Sequence, residues 1–259
     1  MLTSNDPARE RILSLGLYGS GKTKSWADVA KWYRDTGTPG MFHVLDTDNT
    51  TLRTLTGYPG WEANVVREDV VDWRDLTAHT EKMFDAATSD DWLVVDSIDK
   101  PWSMVQDHYI EEMFGKDADV FFLEQRKASA SGHPLASDYG SNWSVINKLY
   151  QRWIGRVIRW PGHVYAATPS QQVQEPNNQG KGGDSREIRE TFGRYGVRPA
   201  GQKALGFQFH TVLLMQSPAR DEWKITSVKD RSRELLVAAP VVDFALTYLL
   251  GVAGWEITQ

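Results

Sequence analysis

A short segment near the start of the chain has the residue types and spacing needed to hold a chain of phosphates. Residues 16–23 read Gly-Leu-Tyr-Gly-Ser-Gly-Lys-Thr, the pattern G-x-x-x-x-G-K-[ST], between an apolar run and a segment with helical spacing. Glycines let the backbone curl so that N–H groups face phosphate oxygens, and a helix N-terminus favours anions. Lys22 would then reach the β- and γ-phosphates, and the Thr23 hydroxyl would bind Mg²⁺. The alternative is a chance glycine-rich turn. We call residues 16–23 the glycine loop, and its expected ligand-binding residues are Gly16, Gly19, Ser20, Gly21, Lys22 and Thr23.

A second candidate for the metal site ends another apolar run. Residues 92–97 read Trp-Leu-Val-Val-Asp-Ser, so a buried strand would present the Asp96 carboxylate at its carboxyl end. Asp96 would hold Mg²⁺ through water. The alternative is that Asp96 and Ser97 only begin the next helix, because both are good capping residues. The glycine loop favours the metal-binding interpretation.

Two further carboxylates follow the strand predicted at residues 41–45. Asp46 and Asp48 would lie at the strand ends that line the ligand crevice of an open α/β sheet. A carboxylate there could polarise an attacking water, as nucleotide hydrolysis requires. The alternative is that both side chains cap the next turn, because the sequence Asp-Thr-Asp-Asn-Thr-Thr is typical of turns. The two interpretations remain open for Asp48, and the turn is favoured for Asp46.

Composition excludes several classes of site. The chain has 259 residues, a net charge of −5 and no cysteine, which excludes a disulfide framework, a thiolate zinc site and a cysteine nucleophile. The histidines show no ligand spacing, so no metal other than Mg²⁺ is expected. The start of the chain lacks a signal peptide and no apolar stretch is long enough to span a bilayer, which predicts a cytoplasmic protein without a membrane partner.

The order of apolar periods predicts the fold. Apolar runs alternate with helical spacings, which is typical of an α/β fold with a mostly parallel central sheet and helices on both faces. The absence of repeats and of a linker predicts a single domain over residues 1–259. Strands are predicted at 11–17, 41–45, 92–95, 163–167, 207–215 and 223–228, helices at 24–34, 71–87, 102–114, 143–160 and 240–250, and irregular chain at 116–141 and 172–201.

Taken together, these motifs resemble the RecA-like P-loop ATPase core. The glycine loop, Val-Leu-Asp-Thr-Asp at 44–48 and Leu-Val-Val-Asp-Ser at 93–97 occur in the family's order, and residues 201–231 resemble its glycine-rich loop followed by two strands ending in a basic pair. The resemblance implies bound ATP and Mg²⁺, Asp48 as the catalytic base, and Lys229 and Arg231 as residues that reach the γ-phosphate of a neighbouring subunit. It therefore implies a homo-oligomer, as a ring or a filament. The alternative for the basic pair is a solvated strand end.

The sequence differs from full-length cellular RecA in ways that make it resemble a smaller subgroup of the family. Few residues precede the glycine loop, residues 100–141 look longer than the matching family segment, and Asp-Tyr-Gly-Ser-Asn-Trp at 138–143 resembles small bacteriophage ATPases built from one RecA-like core. Those proteins are associated with recombination and strand annealing, which implies single-stranded DNA and a phage single-strand-binding protein as partners. The family's polar sensor after the fourth strand could be Thr168, Ser170 or Gln171.

The resemblance also implies that residues 172–201, which follow the fourth predicted strand, contact single-stranded DNA. Cations outnumber carboxylates in residues 172–233, in contrast to the acidic remainder of the chain. Cations for phosphates and aromatic faces for bases are the requirements of sequence-tolerant strand binding. The alternatives are a mobile solvated loop or a subunit contact. The candidate DNA-binding residues are Lys181, Arg186, Arg189, Phe192, Arg194 and Arg198, with Tyr195 between them.

Two other functions would use the same glycine loop. A P-loop kinase or other small-molecule phosphotransferase needs an arginine-rich lid, and residues 186–198 could serve as one. A nucleotide-switched DNA-packaging or loader accessory protein would bind ATP without using it for chemistry. ATPase activity stimulated by single-stranded DNA would separate the leading hypothesis from both.

Overall fold

A central sheet forms from short apolar runs that are covered on both faces. In the computed structural model, every residue of Arg11–Gly16, Phe42–Asp46 and Trp92–Asp96 is buried, as expected for strands packed between two layers of helices. The structure describes residues 9–131, 139–177, 182–231, 233 and 235–255. The strands are β1 (Arg11–Gly16), β2 (Phe42–Asp46), β3 (Val65–Asp69), β4 (Trp92–Asp96), β5 (His163–Gln172), β6 (Val197–Pro199), β7 (Thr211–Ala219), β8 (Glu222–Asp230) and β9 (Ala239–Pro240).

The strand order explains which loops meet. Within the described residues the sheet runs β3-β2-β4-β5-β1-β7-β8-β9, with β6 paired to β5. The neighbours from β3 to β7 pair in parallel, so the carboxyl ends of β1, β2 and β4 lie at one edge. β8 pairs antiparallel with β7, because their short connection permits only a hairpin. β9 pairs antiparallel with β8, and β6 with β5. The predicted α/β fold is confirmed, and the strands of the described residues form a mixed nine-stranded sheet that is parallel only in part.

The helices are placed by the alternation of side chains along the strands. Leu13 and Leu15 of β1 pack into one apolar cluster with Trp153, whereas Ile12 packs into a second cluster with Trp26. Because successive strand residues point to opposite faces, helices cover both sides of the sheet. They are α1 (Lys22–Thr36), α2 (Thr51–Leu55), α3 (Trp73–Ala86), α4 (Lys100–Phe114), α5 (Ala118–Ala130), α6 (Tyr139–Ile158), α7 (Arg186–Phe192) and α8 (Leu205–Gln208), and a π-helix spans Ala245–Leu250. No helix in the described ranges is long and apolar enough to cross a membrane.

Two segments predicted to be irregular contain helices. In α5, Phe121 is buried and stacks on Phe114 at 4.4 Å between ring centroids. In α7, Ser185 caps the Ile188 amide at 3.3 Å and both Ile188 and Phe192 are buried. The prediction of irregular chain at these places was wrong, because short helices gain most of their stability from tertiary packing rather than from a long apolar period.

Candidate functional site

The glycine loop joins β1 to α1, as the sequence predicts. Gly16 ends β1, and an added Cβ there would lie 2.4 Å from the Met215 carbonyl oxygen. Gly19 and Gly21 have φ values of 75° and 92°, in the left-handed region that favours glycine. Gly21 is also the N-cap of α1 and offers no side-chain cap. Close packing at Gly16 and positive φ at the other two positions therefore explain the spacing of the glycines.

The Lys22 side chain folds back over this loop. Its Nζ donates hydrogen bonds to the carbonyl oxygens of Gly16 and Leu17, both at 2.9 Å, and lies 3.4 Å from the Ser20 hydroxyl. These partners are neutral. Burial lowers the pKa of Lys22, although nearby carboxylates, first among them Asp96, act in the opposite direction. A half-buried ammonium held by neutral oxygens above a helix N-terminus fits a phosphate ligand.

Thr23 and Asp96 meet across the sheet edge. The Thr23 hydroxyl donates to Asp96 Oδ2 at 2.8 Å, and the Trp26 indole N–H donates to the same oxygen at 3.1 Å. Asp96 is 5 % exposed, and this burial raises its pKa. A hydroxyl and a carboxylate in contact are the pair of protein oxygens that Mg²⁺ uses when phosphate and water supply its remaining ligands. Among the described residues no group of three or more His, Cys, Asp or Glu could hold a metal alone.

The structure separates the roles of Asp46 and Asp48. Asp46 is buried and accepts hydrogen bonds from the Thr51 amide at 3.1 Å and from Arg67 Nη1 at 2.7 Å, so it holds the turn after β2. Asp48 lies in the cleft, with Oδ1 3.6 Å from Nζ of Lys100. Burial raises the pKa of Asp48, and Lys100 partly opposes that shift. Asp48 is therefore the carboxylate placed to meet a ligand.

A cleft of about 580 Å³ joins these groups, within the size range of small-molecule sites. The glycine loop from Tyr18 to Thr23 lines it together with Asp48 and Asp96, at the carboxyl edge of the parallel strands, where α/β sheets bind ligands. Several residues without a predicted ligand-binding role also line the cleft. They are Lys24, Thr50, Arg53, Thr54, Ser97, Pro169 and Trp223.

Trp223, at the start of β8, is the largest of these residues. An added Cβ on Gly21 would lie 2.8 Å from Trp223 Cδ1, and Lys24 Nζ lies 5.6 Å from the ring centroid. No sequence pattern assigned a role to Trp223. Its contact with the glycine loop depends on the pairing of β1, β7 and β8 and has no local signal.

The three sensor candidates have different surroundings. Thr168 is fully buried, and its hydroxyl donates to the Pro169 carbonyl at 3.3 Å. Ser170 and Gln171 are opposite β6 in an antiparallel pair. Pro169, which lies between Thr168 and Ser170, lines the cleft. The sensor role is not assigned by these contacts and stays open among the three residues.

Lys229 and Arg231 lie at the opposite edge of the sheet from the glycine loop of the same chain. Lys229 pairs with Val212, which pairs with Leu13, whereas Gly16 is level with Met215. Three strand residues span about 10 Å. Lys229 Nζ donates to the carbonyls of Phe209 and Gly206, and burial lowers the pKa of Lys229. The exposed Arg231 lies further along, and its amide bonds to His210. Neither residue lines the cleft of its own chain.

The structure buries Phe192 and Arg198, two of the predicted DNA-binding residues, so the prediction was wrong for both. Phe192 is 1 % exposed and packs against Phe207, and Arg198 is 4 % exposed with its Nε 2.9 Å from Asp184 Oδ2. Both side chains hold the segment together and present no free surface to nucleic acid. The segment contains α7 and β6 and is not the structureless loop that was predicted.

The remaining candidates in this segment lie nearer the surface. Arg186 pairs with Glu190 at 2.6 Å, and Arg194 lies over the Tyr195 ring at 4.6 Å. Arg189 donates to the Asp184 carbonyl at 2.8 Å. Lys181 is outside the described residues. Arg186 has 85 % of its side chain exposed, and Arg194 is exposed as well.

No protein-family model matches this chain, and no curated protein matches it in sequence. The function has to be inferred from the residues of the cleft.

Proposed function

We propose that this protein is a RecA-like ATPase that binds and hydrolyses Mg–ATP in the cleft between the glycine loop and Asp96. The observation that carries the proposal is the contact of Thr23 with Asp96 at 2.8 Å, directly beside the half-buried Lys22. A hydroxyl, a carboxylate and a cation at the N-terminus of α1 are the groups that hold a Mg-bound triphosphate. The glycine φ values and the size of the cleft support the same ligand.

Each residue of the cleft has a role in this proposal. Lys22 would bind the β- and γ-phosphates, and Thr23 and Asp96 would hold Mg²⁺, Asp96 through water. The metal, when bound, would withdraw charge from the phosphate oxygens. Asp48 would orient the attacking water and accept its proton, which requires the ionised carboxylate. Lys100, at 3.6 Å from Asp48, favours that ionised form.

We further propose that the ATP site is shared between subunits. Lys229 and Arg231 lie at the far edge of the sheet, so a contribution to γ-phosphate chemistry requires a neighbouring copy packed head to tail. A head-to-tail contact generates a ring if its rotation closes and a filament if it does not. The charge that a trans-acting cation supplies is the one that phosphoryl transfer needs.

Single-stranded DNA is the proposed partner, in recombination or strand annealing of the kind carried out by bacteriophage ATPases. The support is the excess of cations in residues 172–233 and the exposed position of Arg186. Counterion release from phosphates would supply most of the affinity. With Phe192 and Arg198 buried, the described contacts would be Arg186, Arg189 and Arg194.

The test is ATP hydrolysis with and without single-stranded DNA. We expect stimulation by DNA in the natural protein and loss of hydrolysis in Lys22→Ala and Asp48→Asn. Asp35→Asn is the matched control, because this exposed aspartate pairs with Lys31 at the other end of α1. Turnover that requires a nucleoside acceptor and ignores DNA would establish a phosphotransferase instead. Tight ATP binding without turnover would establish a nucleotide switch.

A further inference from the structure

The cleft has an aromatic wall whose role the phosphate-binding residues do not explain. Trp223 lies on β8, and the strand order places β8 and Asp96-bearing β4 on opposite sides of β1. The glycine loop projects from β1, between the two. The cleft therefore has a metal-binding side at Asp96 and an indole side at Trp223.

The position of the phosphates determines which side of the cleft is open to the base and sugar of a nucleotide. Thr23 and Asp96 are in contact, so the Mg-bound end of a triphosphate would be on their side of the loop. The chain of phosphates would follow the N-terminal turn of α1, where Lys24 comes directly after Thr23. A nucleoside attached to the other end of that chain would then extend away from Asp96, toward the side of the cleft that Trp223 of β8 lines.

The indole is held in place where that nucleoside would arrive. Trp223 is only partly buried, lies against Gly21 with Cδ1 2.8 Å from the position of an added Cβ, and has Lys24 Nζ 5.6 Å from its ring centroid. An aromatic face beside a cation is a surface on which a planar base stacks, and such stacking tolerates different bases because each has a π-face.

We propose that Trp223 is the nucleobase platform of the cleft and that its stacking favours purine nucleoside triphosphates over pyrimidine ones, because a purine covers more of the indole. This inference rests on the proposed nucleotide-binding function. Lys24 also lies near the ring, with its ammonium paired to Asp28 at 2.6 Å, so it holds the indole in place rather than supplying a free charge. Trp223 is accordingly a binding residue without a part in the chemical step.

The test compares nucleoside triphosphates with tripolyphosphate, which carries the same phosphates without a base. Dissociation constants of the Mg²⁺ complexes of ATP, GTP, CTP, UTP and tripolyphosphate are measured by calorimetry on the natural protein, Trp223→Ala and Trp223→Phe. Loss of one stacked base weakens binding by roughly 5- to 150-fold. We expect that loss in Trp223→Ala for ATP and GTP, a smaller loss for CTP and UTP, and no change for tripolyphosphate. Trp223→Phe retains a ring and should restore most of the affinity.

The matched control is Trp32→Ala. Trp32 is also partly buried on the same apolar cluster but is not in the cleft, so this variant should bind both ligands normally. Parallel losses for ATP and tripolyphosphate in Trp223→Ala would overturn the inference, because Trp223 would then act only by packing on Gly21. Unchanged ATP binding would also overturn it. Natural protein that binds neither ligand would overturn the proposed function as well, so the two failures are distinguishable.

Discussion

The Thr23 hydroxyl donates a 2.8 Å hydrogen bond to Asp96 Oδ2, although the two residues are 73 positions apart in the chain. Thr23 lies in the first turn of α1 and Asp96 ends β4, so the contact exists only because the sheet brings the ends of β1 and β4 to the same edge. The buried Trp26 indole N–H donates to the same oxygen and so helps to fix the orientation of the carboxylate. The pair is the structural centre of the proposed site.

Replacing Asp96 by asparagine should separate function from stability. Burial raises the pKa of Asp96, so folding favours its protonated form, and the ionised carboxylate costs stability once the pH rises through the unfolded-state pKa. A neutral amide removes that cost. We expect Asp96→Asn to unfold at an equal or higher temperature at pH 7 and to lose Mg-dependent ATP binding by at least about tenfold. Thermal melts and titrations with and without Mg²⁺ are the measurements. A lower melting temperature together with unchanged Mg²⁺ dependence would contradict the assignment.

Removing Lys100 should move the acidic limb of the pH profile. Burial raises the pKa of Asp48 and the Lys100 ammonium opposes this shift, so Lys100→Met should raise that pKa further. A catalytic base acts only when ionised, and therefore the acidic limb of kcat should shift to higher pH. Lys100→Arg keeps the charge and is the matched control, with an expected profile like that of the natural protein. Superimposable profiles for Lys100→Met and Lys100→Arg would exclude Asp48 as the titrating base.

Mixing two inactive variants should restore activity if sites are shared between subunits. Lys22→Ala leaves the basic pair intact, and Arg231→Ala leaves the glycine loop intact. Random head-to-tail assembly at equal amounts places an intact Arg231 beside an intact Lys22 at about one quarter of the interfaces. Hydrolysis should therefore recover to roughly a quarter of the natural rate. Mixtures that stay inactive at every ratio would mean that Arg231 does not act on a neighbour's ligand.

Arg198 and Arg186 should respond differently to truncation. Arg198 is buried with Asp184, whose pKa burial would raise but whose hydrogen bonds from the Gln174 amide and from Arg198 hold it below its usual range. Arg198→Ala removes the buried cation and leaves that carboxylate, among the described residues, with only the Gln174 amide and the more distant Lys203, at 3.6 Å, and should lower the free energy of unfolding by about 3 kcal/mol. Arg186, with 85 % of its side chain exposed, should change stability by less than about 0.5 kcal/mol.

The same two variants test the DNA contact. Arg186→Ala should weaken binding of single-stranded DNA and lower the salt dependence of the affinity, because one phosphate contact is lost. Urea unfolding and binding titrations at several salt concentrations give the two quantities. Equal stability losses in both variants would contradict the burial of Arg198, and an unchanged salt dependence in Arg186→Ala would remove it from the DNA surface.

Local patterns predicted a large part of the architecture. The glycine loop lies between a strand and a helix, and Asp96 ends a buried strand, as their neighbours in the sequence indicate. Such features depend on glycine φ values and on the period of apolar residues, which neighbouring residues determine. The alternation of strands and helices likewise predicted the α/β fold and the two covered faces of the sheet.

Local sequence patterns did not predict which side chains are exposed or which residues distant in the sequence are in contact. Phe192 and Arg198 have types suited to a DNA surface, yet packing against Phe207 and pairing with Asp184 bury them. The residue type alone does not distinguish a solvated arginine from a buried one. The short helix α7 was missed for the same reason, because its stability comes from its buried side chains.

The sequence by itself determined the glycine loop, the strand that carries Asp96 and the α/β alternation, because backbone sterics and short-range periodicity act within a few residues. Only the tertiary structure decided that Trp223 lies against Gly21, that Asp48 rather than Asp46 faces the cleft, and that Lys229 and Arg231 lie at the opposite edge. Those relationships depend on which strands pair and in which register, and pairing between distant segments is set by burial over the whole chain.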